Sequence, residues 1–141
     1  MNLIISSIQG RVISGKQVGR TIGFPTANLH ILSKIPSLDY GVYGVIVDWK
    51  GSKFSGVMNI GIRPTFNDSS QISYEVHLLD FNQHLYGEKI NVYICFQVRK
   101  EILFKDVSEL IQQIRSDVDY VKGKFLIMDY RHQNKKDFVN V

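Results

Sequence analysis

The feature that most constrains this chain is an alternation of apolar and polar residues at a period of two, repeated in segment after segment between Gly41 and Val98. Successive side chains of a strand point to opposite faces, so the pattern describes strands with one face on a core. Ile72 to Leu78 puts Ile72, Tyr74, Val76 and Leu78 on one side and Ser73, Glu75 and His77 on the other. Ile90 to Val98 puts Ile90, Val92, Ile94, Phe96 and Val98 on the core side, with Asn91, Tyr93, Cys95 and Gln97 opposite. Gly41 to Trp49 is rich in β-branched and aromatic residues, and Phe54 to Ile60 follows a turn over Lys50 to Lys53, which predicts a hairpin. Two short strands are expected at Ile4 to Ile8 and Gln9 to Ser14. Strands this frequent, with no helix between them, argue for antiparallel pairing and closure into a barrel that leaves no exposed edge.

One helix follows. Val107, Leu110, Ile111, Ile114, Val118 and Val121 fall on one face at helical spacing. Asp106 with Glu109 three residues on forms a capping box, so Asp106 is the expected N-cap. The predicted class is a mainly β barrel with a C-terminal α-helix along one side or end.

With 141 residues the chain suits a single domain over 1–141, its core spanning about 8–125. The charged segment 131–141 is expected to be a flexible tail. One cysteine, Cys95, excludes an intramolecular disulfide and a Cys-based zinc site. No apolar run approaches the roughly 18–20 residues that span a bilayer, and Met1 to Ile8 is too short for a secretory signal. These points favour a cytoplasmic protein with no membrane partner. Lys and Arg number 17 against 13 Asp and Glu, for a net charge of +4. The cations are scattered and the aromatics lie in alternating segments, unlike the basic, aromatic-lined stripe of a nucleic-acid binder.

Three stretches break the alternation: Gly15 to Leu29, Gly61 to Gln71 and Asp80 to Lys89. In the first, Gly15, Gly19 and Gly23 are interleaved with Lys16 and Arg20, which suits a polyphosphate, because glycine lets backbone N–H groups approach an anion closely. A solvated hairpin loop fits the same residues. Gly10 to Gln17 matches GxxxxGK but has Gln17 where a P-loop needs Ser or Thr, so that reading is discarded. In an extended Pro25-Thr26-Ala27-Asn28, Thr26 and Asn28 project to one side and offer hard oxygens to Mg²⁺; a turn in which they bond their own backbone is the plainer alternative. Glu75, mid-strand, and Asp80 are the carboxylates best placed to activate a hydroxyl, ahead of Asp39 and Asp68.

Taken in order, G-x-V-x-x-G-x-x-x-G-R-x-x-G-F-P-T-A-N (Gly10 to Asn28), G-V-Y (Gly41 to Tyr43), N-I-G-x-R-P-T-F (Asn59 to Phe66), E-V-H-L-L-D-F (Glu75 to Phe81), L-Y-G (Leu85 to Gly87) and V-R-x-E-x-x-F (Val98 to Phe104) resemble the riboflavin kinase family. The resemblance implies a six-stranded antiparallel Greek-key barrel and transfer of the ATP γ-phosphate to the ribityl 5′-hydroxyl of riboflavin, giving FMN and ADP. It implies that Thr26 and Asn28 hold Mg²⁺ and phosphate, and that Glu75 activates the hydroxyl. Gly15, Lys16, Arg20, Gly23 and Phe24 would belong to a loop over the nucleotide, and Arg99 and Phe104 would lie near the flavin. Similar bacterial sequences form one half of a bifunctional FAD synthetase whose N-terminal module adenylylates FMN. No room for that module precedes Gly10, which points to a stand-alone kinase or an excised kinase domain. A non-catalytic flavin- or nucleotide-binding barrel is the alternative reading.

Overall fold

The computed structural model describes residues 4–13, 23–64 and 70–139. Six strands and one helix follow in order: β1 (Ser6–Ile13), β2 (Ala27–Ile31), β3 (Gly41–Trp49), β4 (Ser52–Pro64), β5 (Ser70–Leu78), β6 (Lys89–Lys100) and α1 (Val107–Val139). The strands close in the order β1-β2-β5-β4-β3-β6, all pairs antiparallel. The strands β3, β4 and β5 form a meander, and β2 returns beside β5. This spatial order, 2-5-4-3, is the Greek key.

Most of the alternation reads through to the barrel. Tyr43, Val45, Val47, Met58, Ile60, Tyr74, Val76, Ile90, Val92 and Ile94 fill the interior. The β3–β4 turn is tighter than expected: Trp49 pairs with Ser52, and Lys50 and Gly51 both take positive φ (52° and 85°). Those are the dihedral signs of a type I′ turn, whose twist matches that of the flanking strands.

Five strand readings change. Gly61 to Gln71 is not wholly a break, because β4 runs on to Pro64 and β5 starts at Ser70. Ile4 to Ser14 is not two strands: Ser6–Ile13 runs unbroken, pairing with β2 on one side and β6 on the other. The strand β2 has no counterpart in the expected set, because it is only 5 residues long and lies within a stretch broken by glycine and proline. On β5, Ile72 is 47% exposed at the barrel rim rather than buried. On β6, Phe96 and Val98 leave the core face. Val45 pairs with Ile94 but Gly44 pairs with Phe96, so Cys95 is an extra residue in the ladder. Such a β-bulge resets the alternation. Cys95, Phe96 and Val98 therefore pack outside the barrel with Val118, Val121, Phe125 and Met128 of α1.

Asp106 caps helix α1 as expected, while the return bond of the capping box falls one residue earlier, on Lys105. Asp106 Oδ1 accepts the Glu109 N–H at 2.9 Å, while Glu109 Oε2 accepts the Lys105 N–H at 3.1 Å. Of the expected stripe Val121 is fully buried, whereas Val107 is exposed. The helix extends beyond Val121 to Val139, and among the described residues no helix is long and apolar enough to cross a membrane.

Candidate active site

The first strand residue after Pro25 is Ala27, and its register against β5 fixes the site. Ala27 pairs with Val76, and Asn28 pairs with Glu75. Directly opposed residues of an antiparallel pair share a face. Val76 points into the barrel with Ala27 packed against the same core. Asn28 and Glu75 consequently project together from the outer wall. Asn28 is nonetheless buried, at 7% exposure. Thr26, one step before the strand, is exposed at the rim of a cleft of about 360 Å³.

Ala27, Val76 and Leu78 line that cleft along with Val12 and Ile13, and the segment from Phe81 to Tyr86 closes its other side. Hydrophobic strand residues thus meet the polar side chains of Asn82, Gln83 and His84. Such a lining suits a flat heteroaromatic ring with edge polar groups. Thr26 at the cleft rim, with Asn28 and Glu75 opposed on the outer wall of the adjoining strands, offers a hydroxyl, an amide and a carboxylate, hard oxygens compatible with Mg²⁺ and phosphate. Among the described residues no group of three His, Cys, Asp or Glu could hold a metal.

The outer face continues around the barrel from Glu75. Glu75 also pairs with Asn59 on β4, Asn59 with Val42 on β3, and Val42 with Arg99 on β6. Strands lie about 4.8 Å apart, so Arg99 sits three steps, roughly 14 Å, from Glu75 along one continuous face. Its guanidinium is held on α1: Nε lies 3.0 and 3.1 Å from the two carboxylate oxygens of Asp117, and Nη2 2.9 Å from Oδ2. Gln113 Nε2 donates to the same carboxylate at 3.0 Å, and the Arg99 guanidinium carbon stands 5.7 Å from the centre of the Phe104 ring. Arg99 and Phe104, named together by the sequence motif, do meet.

Gly61, next outward residue after Asn59 on β4, gives room to another acid. A Cβ built there would lie 2.5 Å from Glu101 Oε1. Asn59, Glu101, His77 and Asp117 were not singled out by sequence as site residues. Asn59, His77 and Glu101 are lettered positions of the motifs quoted above, and Asp117 is an acid between Ile114 and Val121 on the apolar side of the helix.

The remaining expectations fall as follows. Gly15, Lys16 and Arg20 lie outside the described residues. Gly23 takes φ +91° with open space around a built Cβ, and Phe24 packs edge-on against His77 at 5.7 Å between centroids. Asp80 is not a rigidly held acid: it occupies a turn at φ 53°, its side chain 86% exposed and 3.6 Å from Lys122 Nζ.

Known proteins resemble this chain in sequence and fold. The chain is 41% identical over 130 residues to the RNA-binding riboflavin kinase RibR of Bacillus subtilis, covering 92% of this chain and 56% of that protein. It is 46% identical over 119 residues to a bifunctional riboflavin kinase/FMN adenylyltransferase of Haemophilus influenzae, covering 84% and 38%. It thus spans about half, or less, of the length of these relatives. Among solved structures, a Streptococcus pneumoniae chain titled macrolide-efflux protein superposes with TM-score 0.76 at 34% identity, covering 82% of this chain and 38% of that one. Riboflavin kinase from Trypanosoma brucei shares the fold, with TM-score 0.58 at 22% identity and coverage of 85% and 79%. Residues 5–125 match the family model Flavokinase, described as riboflavin kinase, and the chain belongs to that family.

Proposed function

We propose that the protein phosphorylates riboflavin, moving the γ-phosphate of ATP onto the ribityl 5′-hydroxyl to give FMN and ADP. The observation that carries this reading is the Asn28–Glu75 register, which sets an acid opposite Asn28 on the outer wall, two residues on from Thr26 at the rim of the cleft. The nucleotide base occupies the cleft, and its phosphates run out past Thr26 and Asn28. The flavin lies along the outer wall from Glu75 towards Arg99 and Phe104, a path long enough for a tricyclic ring and its five-carbon chain.

Glu75 accepts the hydroxyl proton as that oxygen bonds to the γ-phosphorus and the bond to the ADP oxygen breaks. Phosphoryl transfer needs little covalent help from the protein, so alignment carries most of the catalysis. Thr26 and Asn28 would hold Mg²⁺, which when bound neutralises phosphate charge. Gly15, Lys16 and Arg20, from the same glycine-rich segment as Gly23 and Phe24, would cover the phosphates. A cytoplasmic location fits a chain whose single thiol, Cys95, is free and buried. In the bifunctional relatives the kinase is joined to an FMN adenylyltransferase, the class of activity that would take up FMN made here.

The test is incubation with riboflavin, ATP and Mg²⁺ with chromatographic detection of FMN. Stoichiometric FMN and ADP are expected. Tight flavin binding with no FMN would instead establish a binding module.

A further inference from the structure

We infer that His77 is a positioning residue for this reaction, holding the Thr26–Asn28 segment in place through the carbonyl of Pro25. The inference rests on the reading above, in which that segment binds Mg²⁺ and phosphate. His77 follows Glu75 by two on β5 and so shares its outward face. Its Nδ1 lies 2.7 Å from Pro25 O. A carbonyl oxygen can only accept, so Nδ1 carries the hydrogen and donates it.

The need for this bond follows from the sequence. The paired register of β2 with β5 ends at Ala27. Proline has no N–H with which to extend the ladder. Thr26 therefore precedes the last paired residue, outside the hydrogen-bonded ladder of β2 with β5. The side chain of His77 ties down the peptide just before Thr26. The Pro25 carbonyl belongs to the same rigid peptide plane as the Thr26 nitrogen, so fixing that oxygen fixes the plane from which Thr26 departs. The Phe24 ring, 5.7 Å from His77 and nearly perpendicular at 81°, packs against the same imidazole. One side chain on the strand of the proposed base thus sets the approach of the proposed phosphate-binding segment.

Two substitutions separate the donor from the ring. In His77→Phe the ring contact with Phe24 is kept and the donor is lost. In His77→Asn the amide nitrogen stands near the place of Nδ1 and restores the donor. His77→Phe is expected to raise KM for Mg·ATP about tenfold or more, since small misplacements of reacting groups are costly. KM for riboflavin should stay within about twofold, because the flavin contacts are not tethered by this bond. His77→Asn should recover most of the Mg·ATP affinity, an outcome that a merely structural role for the ring would not produce. Should His77→Phe fail to fold, His77→Gln, which moves the amide away from the Nδ1 position, replaces it with the same expectation. Unchanged KM for Mg·ATP in the donor-less variant, or equal impairment in His77→Asn, overturns the inference. Asn28→Ala, measured in parallel, separates the two failures. If it weakens Mg·ATP while His77→Phe does not, this inference alone falls; if neither does, the site reading falls with it.

Discussion

Asn28 and Glu75 lie 47 positions apart in the chain and stand directly opposite each other on neighbouring strands, facing the same way. No rearrangement of the backbone is needed to bring a neutral oxygen donor and an acid to one spot, since the β2–β5 register alone does so.

Glu75→Gln keeps the shape of the side chain and removes the proton acceptor. Turnover should fall by about 10²- to 10⁴-fold, the usual contribution of a positioned base, with smaller changes in either KM. Steady-state FMN formation measures it, and near-normal kcat would remove Glu75 from the role.

Asn28→Ala removes a buried amide that stands opposite Glu75. KM for Mg·ATP and the Mg²⁺ concentration for half-maximal rate should both rise, by about tenfold, the effect of losing one hydrogen bond to a charged group. A Mg²⁺ titration at saturating riboflavin reads this directly.

Asp117→Ala leaves the Arg99 guanidinium, whose side chain is only 16% exposed, without its bidentate partner. Breaking a buried pair from one side costs about 3–5 kcal/mol. Thermal unfolding should therefore begin roughly 10 °C lower for a chain of this size. Riboflavin KM should rise as well if Arg99 lies against the flavin.

Gly44→Ala tests the seat of the helix. A Cβ there would lie 2.2–2.8 Å from three ring carbons of Phe96, which packs in turn against Tyr120 and Phe125 of α1. Overpacking of this kind costs about 1–3 kcal/mol, and a urea midpoint lowered without loss of FMN-forming activity is the expected result.

Alkaline pH should loosen the fold. Burial pushes the Tyr43 and Tyr74 phenols above their ordinary 10.0, helped by the charge of Asp39 at Tyr43 and by Tyr40 at Tyr74. Burial likewise pushes the Cys95 thiol above 9.0, partly offset by a backbone hydrogen bond at Ile46. Each group holds its proton more tightly folded than unfolded. Their stabilisation is complete below about pH 9 and is lost as pH climbs through the folded-state values. Urea midpoints should be level between pH 7.5 and 8.5 and fall above about pH 9.5; a rise there would contradict the assignment.

The strands at Gly41 to Trp49, Phe54 to Ile60 and Tyr74 to Leu78, the start of β6 and the capped start of α1 were legible because each depends on residues close in sequence. Alternation needs only the next residue but one, and the Asp106–Glu109 cap spans a single turn. The motif from Gly23 to Asn28, Glu75, and the pair Arg99 and Phe104 could also be named from the chain alone, by resemblance. Tertiary structure decided the rest. The five-residue β2 is a strand because β1 and β5 flank it, not because its own residues demand it. The bulge at Cys95 turns Phe96 outward because Gly44, on another strand, leaves space for the ring. Asp117 finds Arg99, and His77 finds the carbonyl of Pro25, only after the barrel has closed. Local periodicity fixes which face a side chain takes, but which distant side chain shares that face is set by strand register, and register is settled by the packing of the whole core.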